Sequence, residues 1–171
     1  MTDPAQILAA AHHVLLHNWP STDVPHTLAR AGFAVTVFGG PAPDDVSETE
    51  LVDGEIVDRR TGVRPESADI LYVYPWPGFE LERDLPGVAR TARELGAGTL
   101  WFQSALAADG SQDDHGTWVP EDEAARIDEI ADAEGLAVVR EAYIADVARG
   151  PRPSGPRCSW TAATTPTSRS T

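Results

Sequence analysis

The residues best suited to hold a ligand fall in a few short clusters. Asn18, Trp19, Pro20, Ser21 and Thr22 follow an apolar run, HVLLH. The hydroxyls of Ser21 and Thr22, with the backbone N–H groups of a helix starting there, suit an anion. The same hydroxyls equally suit plain capping of that helix. Gly39 and Gly40 precede Pro41 after a second apolar run, where missing side chains let an adenosine approach the backbone or simply allow a turn. Tyr74 and Trp76 lie in the loop YPWPG, with Trp76 between two prolines and placed to stack on a flat ring or enter an interface. Gln103 and Ser104 follow TLWF. No GxSxG elbow surrounds Ser104, so the serine is not assigned as a nucleophile. Arg59, Arg60 and Arg64 supply cations for a phosphate if their segment folds over these loops.

Much other chemistry is not expected. The chain has 13 basic residues, all arginine, which removes the P-loop lysine, the Schiff-base lysine and the Ser-Lys dyad. Its single cysteine, Cys158, gives no CxxC motif and no intrachain disulfide. His12, His13, His17, His26 and His115 show no HExxH or comparable ligand spacing, so no metal site is expected. Carboxylates are too abundant for any pair to mark acid–base catalysis, and no catalytic residue is assigned. There is no GxGxxG turn.

With 27 acidic residues against 13 basic, the net charge is −14. Such a chain repels phosphodiester backbones, so nucleic acid is not an expected partner. The opening MTDPAQILAAAHH lacks a basic start and a long apolar run, and no stretch reaches membrane-spanning length. The expected setting is the cytoplasm, without membrane contact.

The clusters need elements to hold them, and the apolar spacing supplies these. A short helix at 4–11 leads into a strand at 13–17. A helix capped by Thr22 or Asp23, with Pro25 in its first turn, runs to Ala31 and stops at Gly32, before a strand at 33–38. LVDGEIV (51–57) reads as a β-hairpin on a two-residue Asp53-Gly54 turn. Strand 69–74 is nearly all apolar, as for a strand covered on both faces. Leu85, Val88, Ala89, Ala92 and Leu95 have helical spacing, Gly96 and Gly98 follow, and strand 99–103 comes next. A helix opened by Pro120, Glu121, Asp122 and Glu123 stops at Gly135, before strand 136–139. The unit of helix, glycine and strand thus occurs three times, which predicts a parallel sheet with helices on its faces. Trp101, inside a strand, is expected in the core. The domain is expected at 1–148, carrying nine bases against 27 acids, and the Pro-, Ser- and Thr-rich tail at 149–171 is expected to be disordered.

Taken in order, these segments resemble the CoA-binding domain family, small Rossmann-like proteins related to the nucleotide-binding part of succinyl-CoA synthetase. The likeness spans about residues 5–148. It rests on HVLLH with Ser21, on Val24, Leu28, Gly32, Phe33 and Val35, and on ADILYVY (68–74). Leu95-Gly96-Ala97 followed by Leu100-Trp101-Phe102-Gln103, and the closing run from Glu123 to Val139, complete it. The chain departs from the family pattern in three places. Asn18-Trp19-Pro20 replace a glycine-serine turn, Pro75 replaces a basic residue, and Ala142-Tyr143 replace an Arg-Cys pair. The resemblance implies an α/β, three-layer Rossmann-like fold: a mostly parallel sheet of about five strands, with an inserted β-hairpin. It further implies a non-catalytic module binding CoA, an acyl-CoA or another nucleotide, through the loops named above. The alternatives are a regulatory or protein-interaction module on the same frame, with an aromatic-proline surface, and a small enzyme acting on a nucleotide or thioester, which would need Ser104, His17 or His115 near a common pocket.

Overall fold

Three helices of this protein end in the same way. In the computed structural model, which describes residues 3–17, 22–38, 44–74, 78–102, 121–140 and 142–150, helix α2 (Asp23–Arg30) follows α1 (Pro4–Ala10) and β1 (His13–His17). It closes on Gly32 at φ 91°. The Gly32 N–H donates to the Ala29 carbonyl at 2.9 Å, and the Phe33 N–H to the Leu28 carbonyl at 3.1 Å. This paired closure is the Schellman motif, which requires a left-handed residue. Gly96, after α3 (Leu81–Glu94), and Gly135, after α4 (Glu121–Ala133), repeat it at φ 74° and 72°. In each case the next residue, Phe33, Ala97 or Leu136, is buried and leads into a strand. Those strands are β2 (Ala34–Phe38), β6 (Thr99–Phe102) and β7 (Ala137–Val139).

The hairpin lies between β2 and β5 (Ile70–Val73), as β3 (Val46–Val52) and β4 (Glu55–Arg60). Val52 pairs with Glu55 across the two-residue loop. Asp53 and Gly54, at φ 52° and 86°, take the positive dihedrals that a type I′ turn demands. Both strands run well beyond 51–57. Apart from the buried Val46 their outer residues are polar, and half of these extra residues are exposed, so no apolar alternation marks them.

All seven strands among the described residues join one mixed sheet, in the order β4-β3-β2-β1-β5-β6-β7. The five strands β2, β1, β5, β6 and β7 are parallel, and the hairpin adds two antiparallel strands to the β2 edge rather than standing apart. Neighbouring residues of one strand point to opposite faces. Val14 and Leu16 of β1 pack with Leu8 of α1, with Val24 and Leu28 of α2 and with Ile144. Leu15, between them, packs with Leu85 and Val88 of α3 and Ile127 of α4. The fold is therefore α/β, with apolar cores on both faces of the sheet.

Two features lie outside the periodic pattern. Pro86 and Gly87 stand inside α3, which starts one turn earlier than its apolar spacing indicates. After Val139, where the pattern assigns no element, Ile144–Arg149 form α5. Six residues are too few to show periodicity. The helix is held by packing, with Ile144 and Ala145 buried. Trp101, fully buried as expected, donates its indole N–H to the Ala142 carbonyl at 2.7 Å and pins the approach to α5. At the opposite end of the sheet, Asp69 ties β5 to β1. Its carboxylate accepts the backbone N–H groups of His12 at 2.7 Å and His13 at 2.9 Å. Burial would raise its pKa, but these donors outweigh that and hold the carboxyl below the usual range.

Candidate functional site

Strand order reverses at β1. Its neighbours are β2 on one side and β5 on the other, so the chain leaves β1 towards one half of the sheet and returns to build the other. In open α/β sheets the carboxyl ends of the strands at this point flank a crevice, because the two following connections diverge. Here those ends are His17 of β1, Phe38 of β2 and Val73 of β5, adjacent in register. Tyr74 follows directly and donates its backbone N–H to the His17 carbonyl at 3.4 Å.

Three side chains gather at this edge. The Arg64 guanidinium carbon lies 4.3 Å from the centre of the Phe38 ring. The Phe38 and His17 rings have centroids 5.4 Å apart, tilted by 57°. Burial, and secondarily the charge of Arg64, hold the His17 pKa down at about 4. Near neutral pH the imidazole is therefore uncharged. It can exchange hydrogen bonds with a ligand but adds no charge, and it is poorly matched to acid–base work at that pH.

Of the three arginines read as possible phosphate partners, Arg64 alone belongs to this group. Arg59 lies on Glu48 at 3.0 Å, its direct cross-strand neighbour, and 3.6 Å from Glu50. Arg60 lies on Asp45 at 2.8 Å and 3.7 Å from Asp44. Arg64 is exposed, and among the described residues it makes no ion pair within 4.0 Å. An exposed guanidinium braced on an aromatic face, beside a neutral imidazole, can hold an anionic group.

Thr22 and Tyr74 are the expected site residues that fall within the described chain. Thr22 is exposed at the N-cap position of α2, yet its side chain makes no capping hydrogen bond. Its backbone is already helical, at φ −93° and ψ −8°. The side-chain cap expected from Thr22 is thus not made; the Thr22 carbonyl accepts only the ordinary first helical bond, from the His26 N–H at 3.0 Å. Tyr74 is half-buried beside His17. Asn18, Trp19, Ser21, Gly39, Gly40, Trp76, Gln103 and Ser104 lie outside the described residues. In sequence they come just after β1, β2, β5 and β6, the strands whose carboxyl ends form this edge.

Phe38 was not singled out by residue type, and His17 was named only for the enzyme alternative. Their signal is positional, since each is the last residue of an apolar strand. Among the described residues no group of three or more His, Cys, Asp or Glu side chains could hold a metal ion, and no helix is long and apolar enough to cross a membrane. The chain matches no protein-family profile, no curated protein and no solved structure.

Proposed function

We propose that this chain is a three-layer Rossmann-like domain that binds CoA, an acyl-CoA or a related nucleotide in the cytoplasm, without catalysing a reaction on it. The observation that supports this most is Arg64, seated on Phe38 beside His17 where the strand order reverses. A diphosphate needs a positive charge at the strand ends, and Arg64 supplies it, while Phe38 fixes the direction of the guanidinium. The Thr22 hydroxyl, unused as a cap, and the first N–H groups of α2 are further donors on the β1 side of the reversal. His17, kept neutral, serves as a hydrogen-bonding partner rather than a proton carrier. A bound phosphate would offset the charge of Arg64 and so raise the His17 pKa.

The test is calorimetry of the full chain with CoA, acetyl-CoA and NAD. At least one is expected to give saturable heat, and Arg64→Ala is expected to weaken it about tenfold, as for loss of one charge-assisted hydrogen bond. Absence of heat from all three at millimolar ligand would overturn the reading.

A further inference from the structure

A second feature lies away from the strand ends, on the outer side of α2. A groove of about 400 Å³ runs between α2 and α5, lined by Asp23, His26, Thr27, Arg30, Tyr143 and Arg149. All six side chains carry polar groups. The opposite face of the same helix is apolar, with Val24, Pro25, Leu28 and Ala29 buried. We propose that this groove is a binding site for a small molecule bearing a phosphate or carboxylate group, distinct from the strand-edge site and meeting it only at Asp23, whose side chain lines the groove.

The charges are arranged for such a ligand. Asp23 and Arg30 are seven residues apart, two helical turns, so they share one face of α2 about 10 Å apart along its axis. The groove therefore has an acid at one end and an arginine at the other. In a chain with 27 acidic residues, Arg30 makes no ion pair among the described residues. Arg149 reaches over from α5. Its Nη1 donates to Asp146 at 3.0 Å, and its Nη2 lies 3.4 Å from the Thr27 hydroxyl. Arg30 and Arg149 thus bring two guanidinium groups to one groove, where an oxyanion can take hydrogen bonds from both.

His26 is fixed in place rather than merely present. Its Nε2 lies 2.7 Å from Asp58 of β4, and the other Asp58 oxygen accepts the Thr49 hydroxyl of β3 at 2.6 Å. Burial would raise the Asp58 pKa, but the Thr49 and His26 hydrogen bonds and the nearby imidazole outweigh it and hold it low. An ionised carboxylate only accepts, so Nε2 carries the proton and Nδ1 is the imidazole's remaining hydrogen-bonding atom. Thr49, Asp58 and His26 come from three elements and order one wall of the groove, which lowers the entropic cost of binding. The ligand class follows from the two ends: an oxyanion towards Arg30 and Arg149, and a hydrogen-bond donor towards Asp23.

The test is a ¹H–¹⁵N NMR titration of the full chain with sodium phosphate, and separately with sodium acetate, at constant ionic strength. Saturable shifts of the Thr27, Arg30 and Arg149 amides are expected with at least one anion. Arg30→Ala, an exposed substitution, is expected to weaken that binding about tenfold, with Arg149→Gln acting in the same direction. Arg64→Ala should leave these shifts unchanged. No saturable shift at these amides with either anion in the tens of millimolar would overturn the proposal. So would saturable shifts that survive both groove substitutions undiminished.

Discussion

His17 makes the stability of this protein depend on pH in a way that can be worked out in advance. Its pKa falls from 6.5 in the unfolded chain to about 4 in the fold, through burial first and the Arg64 charge second. Between these values the unfolded chain binds a proton that the native imidazole refuses. The contribution of His17 to stability is therefore complete above 6.5 and is lost as the pH falls towards 4. Between about pH 7.5 and about pH 5 the loss is about 2 kcal/mol, and it levels off at about 3 kcal/mol in stronger acid. Many carboxylates titrate over part of the same range, so the measurement must be a difference. Urea unfolding of wild type and His17→Gln at both pH values isolates the term, because glutamine is polar and does not titrate. The stability gap between the two proteins is expected to move by about 2 kcal/mol in disfavour of the wild type at the lower pH. Proton NMR of the imidazole should show a midpoint near 4, moved upwards by Arg64→Ala. A stability gap that stays constant across this pH range would refute the account of His17 as a buried, neutral imidazole.

Two glycines of similar appearance should respond in opposite directions. Gly87 lies inside α3 with open space where a Cβ would go, so Gly87→Ala is expected to stabilise by about 1 kcal/mol in urea unfolding. Gly135 also has open space but sits at φ 72°, so Gly135→Ala is expected to cost about 1 kcal/mol, the strain of a left-handed alanine. Trp101→Phe removes the donor to the Ala142 carbonyl and opens a small void, with an expected loss of about 1–3 kcal/mol and faster amide exchange in α5.

Features written in local spacing were legible before any coordinates. The three helix–glycine–strand units were visible because an apolar stripe and a left-handed terminator lie within one short window, as with Leu28, Gly32 and Phe33. The Asp53-Gly54 turn was visible for the same reason. Its register, Val52 against Glu55, already sets Glu48 opposite Arg59, so the capture of that arginine could have been read from the turn alone. The flanking hairpin strands were less legible because, Val46 apart, their residues are polar and give no apolar alternation. Helix α5 was illegible because it is too short for periodicity and exists through contact with α2 and α1. The strand-edge group was foreseen in its location and partly in Arg64, but its central members, His17 and Phe38, carry no motif.

The sequence by itself determined the α/β class and the order of the elements up to β7, because these follow from periodicity and turn chemistry acting over a few residues. Tertiary structure decided which charges remain available. Residues 17, 38 and 64 meet because β1 and β2 pair in parallel with His17 beside Phe38 and the chain after β4 returns across that edge. Arg59 and Arg60 are taken up by the carboxylates of Glu48 and Asp45, while among the described residues Arg64 and Arg30 make no ion pair. The physical reason is that ion pairing and burial depend on distance in space, and the partners here come from different strands, as with Glu48 and Arg59 or His17 and Phe38.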